Sequence, residues 1–469
     1  MEAIRQELRA FTAAVQRQSG VPGIAVALST DRGAAEACAG VRALGADAPL
    51  GPAHRFHAGC VTKLLLALVA LELHHTRALT LDAPLRDYLP ELRGSTVGAK
   101  VRVEHLLSHT SGYRGTSILD PQTRSLDWPS FVAYLRAAPQ LFEPGTAFSY
   151  EHTEAVLLGA VLERVTGTPC LALVRDRVLE PLEIVPGSLG DGSSAGHHEY
   201  DAALGRLAPL APVAAPSPFW VPAFSSFTLS ARDLAAIARA AVEAGRGRCA
   251  WLSRASVGLL VREAIRLPPA FGGPLSELLP TAFGLGAAHL RGGRYGATGL
   301  TRGQCVALRF DPATGIAAAV GMNAVSPPLR DRLLEALYRD VLRIPEPEVP
   351  APRLDFEPGD WTGVYIGPGR GVVAVSAVGA GLRCEIGREQ GGPTLAVDLE
   401  RDAVRGFVLR SPLPQLSLAF FRAGGEAALM LGLSAFRRVR VRSSDPGRDR
   451  VNDRESASFA GCVHALLRV

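Results

Sequence analysis

Lysine is almost missing from this chain: of 50 Lys+Arg residues only two are lysine, Lys63 and Lys100. Nucleotide bias in a genome explains such a shift to arginine, and it makes each surviving lysine worth separate attention. Long runs of like charge and basic stripes interleaved with aromatics are also lacking, and net charge is only +5, so nucleic acid is not an expected partner. No uninterrupted apolar stretch reaches the roughly 18 residues that span a bilayer. The longest one free of proline, Leu64 to Leu71, reads as part of a buried helix, and no membrane is expected as a partner. Met1 to Gln18 is amphipathic, with Glu2, Arg5, Glu7, Arg9 and Arg17, and has no apolar signal-peptide core. The seven cysteines, at 38, 60, 170, 249, 305, 384 and 462, form no CxxC or metal-finger spacing. Together these absences predict reduced thiols and a cytoplasmic location. Cysteines other than Cys60 read as small buried hydrophobes or bystanders. No metal site and no cofactor emerge. His74 and His75 face apart on a helix, His197 and His198 lie in a glycine-rich loop, and no phosphate-binding glycine motif sits between strand and helix.

What is present is a globular chain: 47% hydrophobic and 20% charged residues exclude wholesale disorder, and 469 residues are enough for several structural units. After the N-terminal helix, residues 21–29 read as a strand with Ala34 to Gly40 as its hairpin partner. A strongly apolar helix opens at Gly59 and runs to Leu73. Short elements follow at Asp82 to Leu89 and Val103 to Leu107, with helices at Phe131 to Leu135 and Glu154 to Val165, the latter closed by Gly167. Residues 186–223 read as a long loop over a pocket, before a helix at Ala231 to Ala244. Thr281 to Leu285, Val306 to Phe310 and Ile316 to Met322 have the spacing of antiparallel strands, with Asp311 to Gly315 as a turn, and a helix runs from Leu329 to Leu342. Pro345, Pro347, Pro350 and Pro352 mark a boundary, giving a unit over 1–344 and a linker over 345–356. Short apolar runs then predict a small all-β barrel or sandwich over 357–440, and a polar tail over 441–469. Arg437, Arg438, Arg440 and Arg442 read as a strand edge running into that tail.

Chemistry concentrates at Cys60 and Lys63. A thiol in the first turn of a buried helix gains from the helix N-terminus, and a lysine three residues on lies on the same face. The amine stabilises a thiolate or, if neutral, accepts its proton. A packing cysteine followed by a snorkelling lysine gives the same four-residue pattern, but here Lys63 enters an unbroken apolar run.

Phe56-His-Ala-Gly-Cys-Val-Thr-Lys63 resembles the first motif of the serine β-lactamase and penicillin-binding-protein-like superfamily, in its class C and esterase branch, with cysteine in place of serine. The resemblance continues through Leu79 to Pro90, Val103 to Gly112, Phe148-Ser-Tyr-Glu-His-Thr153, Ser225 to Leu234, and Tyr295-Gly-Ala-Thr-Gly299 with Gly303. It implies an α+β fold, an antiparallel sheet flanked by helices with an all-α subdomain and the site between them. It also implies roles: Cys60 as covalent nucleophile, Lys63 as its proton partner, and Tyr150 as general base and leaving-group acid with a pKa depressed by Lys63. The N–H groups of Cys60 and Leu300 would form the oxyanion hole, with Ala297, Thr298 and Gly299 lining the substrate site.

Three positions depart from the family pattern. Serine has become Cys60; the usual asparagine of the second motif is His152, either a structural histidine or a second proton shuttle; and the third-motif cation is Ala297. A β-lactam carboxylate would lose a contact worth about 1.5–3 kcal/mol at that alanine, which argues against drug hydrolysis. The expected function is therefore an ATP-independent acyltransferase of natural-product biosynthesis. It would move an acyl group from an ester or thioester donor, free or on a carrier protein, to an amine or alcohol. An esterase or thioesterase is the alternative within the same chemistry, and a catalytically silent binding protein the alternative outside it.

Overall fold

The computed structural model describes residues 1–115, 126–189, 191–201, 206–211, 217–225, 227–269, 271–272, 278–345, 357–368, 371–388, 394–402, 406–410, 417–431 and 434–439. Residues 346–356 of the proline linker, Arg440, Arg442, the rest of the tail and Cys462 lie outside them.

Eight antiparallel strands form the central sheet: β1 (Gly23–Thr30), β2 (Gly33–Gly40), β3 (Ile265–Arg266), β4 (Ala282–Phe283), β5 (Ala288–Leu290), β6 (Arg294–Thr301), β7 (Gln304–Asp311) and β8 (Ile316–Met322). Their order is β2-β1-β8-β7-β6-β5-β4-β3. β7 and β8 are buried along their whole length because both faces are covered. Alternate residues serve opposite layers. Ile24, Val26, Ala307, Ala318 and Val320 face helices α1 (Glu2–Ser19) and α7 (Pro327–Ala336), while Ala25, Val306, Leu308 and Ala319 face the larger helical layer. The turn between β7 and β8 is the predicted one, with Asp311 Oδ1 accepting from the N–H groups of Ala313 and Thr314.

The helical layer is built around α2 (Val61–His75), whose residues are buried on nearly every side. An all-round apolar helix of this kind belongs in a core. Against it pack α3 (Trp128–Ala137), α4 (His152–Thr166), α5 (Ala231–Gly245) and α6 (Arg254–Val261) as one continuous apolar cluster. Gly167 closes α4 in the left-handed region, and Ser230 with Asp233 forms a capping box at the start of α5. Among the described residues no single helix is long and apolar enough to cross a membrane.

Several elements differ from expectation. The predicted strand Thr281 to Leu285 shrinks to Ala282–Phe283, because each of its neighbours pairs with it through only two residues. The predicted helix Leu329 to Leu342 starts at Pro327, loses α geometry after Ala336 and continues as a π turn over Leu337–Val341. The loop over 186–223 contains a hairpin, His198–Asp201 with Arg206–Pro209, and the short helix Val221–Phe224.

The C-terminal strands are β9 (Gly363–Ile366), β10 (Gly371–Val378), β11 (Gly381–Arg388), β12 (Leu395–Asp402), β13 (Gly406–Arg410), β14 (Ser417–Ala423), β15 (Glu426–Leu431) and β16 (Ser434–Val439). They curl into one antiparallel sheet in the order β13-β12-β11-β10-β9-β16-β15-β14, and Phe271–Gly272 adds a ninth strand beside β14. Arg437 and Arg438 therefore lie in an interior strand between β9 and β15 and not at an edge. Each finds a carbonyl beyond its own ladder, Gln140 for Arg437 and Asp360 for Arg438.

Candidate active site

Cys60 occupies the N-cap of α2, preceded by Gly59 at φ +52 and followed by a first turn in which Thr62 Oγ1 donates to Gly59 O at 2.7 Å. That left-handed residue lets the chain leave Phe56–His57 and enter the helix with the thiol aimed into the cleft. β6 runs alongside. A side chain at Gly299 would sit 2.3 Å from the carbonyl oxygen of Ala58, so glycine there allows the backbone approach that brings the Leu300 N–H to the sulfur.

Lys63 lies one turn into α2, only 9% exposed, with Nζ donating to the carbonyl of Ala223 at 2.9 Å. It sits 5.1 Å from the centre of the Tyr150 ring and 5.3 Å from that of Phe224. Tyr150 enters from the segment before α4, its ring 4.4 Å from the His109 imidazole. His152, in the first turn of α4, stacks on Phe224 at 4.7 Å and places Nε2 3.9 Å from Cys60 Sγ. Cys60, Lys63, Tyr150, His152 and Leu300 thus converge. Ala297 and Thr298 line the same cavity along β6, and Gly299 is buried behind it.

Electrostatics divide these groups. Burial pushes the Cys60 thiol up, but the charge of Lys63, with hydrogen bonds from Tyr150, Lys63 and the Leu300 N–H, outweighs it and holds the thiol below its ordinary value. Burial lowers Lys63, and the facing thiolate and Glu154 oppose that fall. Tyr150 corrects an expectation. Burial first, then the adjacent Cys60 and Glu154, raise its pKa well above normal, so the phenol is neutral and donates to the sulfur. His152 is held neutral by burial and by the nearby Lys63 and His109. The arrangement supports a thiolate with a neutral acid and a neutral base beside it, ready for addition to an acyl carbon.

Sequence reasoning missed the second layer. The buried Glu154 carboxylate accepts from Ser111 Oγ and N–H and pairs with His109 Nδ1. Its signal was a charged residue on the buried stripe of α4, in line with Leu157, Leu158 and Val161. The cavity measures about 1130 Å³, and its wall is mainly apolar, with Trp220, Phe224, Leu278, Phe283 and Leu290; Arg330 and Asp331 stand at one side. Glu199, Ser217 and Trp220 come from the predicted loop over the pocket. Among the described residues no cluster of three His, Cys, Asp or Glu converges as a metal site.

Comparison with known proteins gives the family and the fold of the chain. The chain is 26% identical over 363 residues to penicillin-binding protein 4 of Amycolatopsis lactamdurans, covering 74% of this chain and 93% of that protein. A shorter stretch of 143 residues is 36% identical to the esterase EstB of Burkholderia gladioli, covering 27% of this chain and 36% of that protein. Among solved structures, SurE superposes with a TM-score of 0.73 at 26% identity, over 93% of this chain and 99% of that one, and SurE with D-Leu gives 0.71 over 94% and 100%. The sequence pattern of the Beta-lactamase family matches residues 5–343, and the chain belongs to that family.

Proposed function

We propose that the chain is an acyltransferase working through a Cys60 thioester, with an ester or thioester as donor and an amine as acceptor. The observation that carries this reading is the convergence of Lys63, Tyr150 and the Leu300 N–H on one sulfur in an apolar cavity. The thiolate attacks the acyl carbon, and the developing oxyanion rests on the N–H groups of Cys60 and Leu300. The carbon–oxygen or carbon–sulfur bond of the donor breaks as Tyr150 gives its proton to the leaving atom and is reprotonated by Lys63. The amine then attacks the thioester, its proton passes to His152 Nε2 and on to Lys63, and the carbon–sulfur bond breaks to restore the thiolate. Donor and amine become amide and free leaving group, and no ATP is consumed.

Thioesters react with amines more readily than with water, which supports transfer over hydrolysis, and the apolar wall suits a bulky apolar acyl group. The likeness to SurE, solved with D-Leu, supports a substrate that carries an amino-acid group; the acyl donor is either free or on a carrier protein. A cytoplasmic setting among natural-product assembly enzymes belongs to the same proposal.

Intact-protein mass spectrometry with a panel of activated aminoacyl and fatty-acyl esters tests it. An acyl adduct on Cys60, discharged to amide faster than to acid when amine is added, is the expected result. Discharge to acid alone would make the chain an esterase. If no adduct forms and Cys60 is alkylated no faster than Cys384, the chain is a silent binding protein.

A further inference from the structure

The segment Phe148-Ser149-Tyr150, which carries the phenol to Cys60, is seated on the C-terminal sheet. Phe148 and Tyr150 share one apolar cluster with Ala419 of β14 and Met430 of β15, and Phe283 of the cavity wall belongs to it as well. Between them Ser149 Oγ accepts a buried hydrogen bond at 3.1 Å from the N–H of Ala435 in β16. Leu141, Phe142 and Ala147, just upstream, pack on Ala423, Ala428 and Ala435. A backbone link crosses at another point, where Phe271 and Gly272 pair with Leu418 and Ser417. All of these sheet partners except Phe271 and Gly272 lie beyond the family match, which ends at residue 343.

Units joined by polar surface contacts move relative to one another, whereas a dry apolar contact packed at interior density transmits position. Leaving-group protonation tolerates little misplacement of the acid. We propose that the C-terminal sheet is a positioning element of the active site: Met430, through Phe148, and the Ala435 N–H, through Ser149, hold the Tyr150 hydroxyl at Cys60. The inference rests on the reading of Tyr150 as the leaving-group acid. Met430 and Ala435 touch no reacting atom and act only through the segment before α4.

The test uses the full chain with Met430→Ala, Ser149→Ala and both together. Acylation of Cys60 by an alkyl ester, whose poor leaving group needs the acid, should slow about tenfold or more in the double variant, while a nitrophenyl ester, which needs none, acylates at the wild-type rate. Alkylation by iodoacetamide above the thiol's midpoint should also be unchanged, and Met430→Leu, which keeps the volume, should restore alkyl-ester acylation. Hydrogen exchange at amides 148–151 should quicken in both single variants, a readout independent of any substrate. Loss of both ester reactions and of alkylation in step with folded protein would reduce the sheet to structural support and overturn the inference. So would full alkyl-ester activity in the double variant. Should Met430→Ala fail to fold, Ser149→Ala, which removes one acceptor and almost no volume, decides alone. If the wild-type chain acylates with no ester, the functional reading falls separately. Hydrogen exchange then judges the brace, and unchanged protection at 148–151 overturns it.

Discussion

Cys60 and Cys384 are the same side chain in two regions, one at the seam between the helical layer and the central sheet, the other inside the C-terminal sheet. Burial is the largest influence on both, and in both it pushes the thiol up. At Cys384 no described group among the causes of the shift opposes it. Asp398 acts in the same direction, and the thiol is pushed to about 12. Cys170 reaches about 12 and Cys38 about 11 for the same leading reason. Cys60 goes the other way because a cation, a phenol and a backbone N–H all address its sulfur. The contrast teaches that in this chain a thiol is activated by its partners and not by its exposure.

The sharpest way to break the contrast is to remove the sulfur. Cys60→Ala should abolish turnover, measured as amide or acid released from any donor that acylates the wild type. Removing a partner comes next. Lys63→Ala and Tyr150→Phe should each cost about 10²-fold or more in acyl transfer, the usual loss for an acid–base group. They should differ in their pH profiles. The thiolate is the reactive form, so wild-type alkylation should fall only as pH drops through a midpoint below the ordinary thiol value of about 8.5. Lys63→Ala removes the main opposing charge, so the midpoint should move upward toward the behaviour of Cys384 and the neutral-pH rate should fall. A Lys63→Ala profile that overlies the wild type would show that the lysine does not hold the thiolate. A smaller effect is expected of His152→Asn, which removes the imidazole 3.9 Å from the sulfur but leaves Lys63, Tyr150 and the Leu300 N–H around it. It should lower the share of acyl-enzyme discharged to amide relative to acid, read by product analysis at fixed amine concentration.

What the chain reveals in one dimension follows the range of the interaction. Cys60 and Lys63 are three residues apart on one helix, so their pairing could be read locally, and the order of the motifs brought Tyr150, His152 and Leu300 to them. The ionic state of Tyr150 could not be read that way. Lys63 alone predicts a depressed phenol, whereas burial, the neighbouring thiolate and Glu154 reverse the direction, and all three are consequences of packing. His109 and Glu154 are 45 residues apart and meet only because α4 crosses the segment after Val103–Leu107. In the C-terminal region the short apolar runs point to an all-β unit but not to the order of its strands, which puts β16 between β9 and β15. Arg437 and Arg438 look like an edge in sequence, and a curled sheet with neighbouring carbonyls on both sides accommodates them inside.

The smallest predicted effect on activity completes the comparison. Cys384 is fully buried among Tyr365, Val373, Val375, Val397 and Leu429, with no cation among the groups that shift it. Its replacement by alanine deletes one heavy atom from a packed core and leaves a cavity of about that size. The expected cost is therefore about 1 kcal/mol of stability, at the low end of large-to-small core substitutions. Denaturant or thermal unfolding should register it, with acyl transfer and Cys60 alkylation at wild-type rates. The same Cys→Ala change then removes all activity at one site, and costs stability with no loss of activity at the other. A Cys384→Ala chain that folds normally but loses acyl transfer would break this division, since it would place a functional thiol where burial and Asp398 both favour the protonated form.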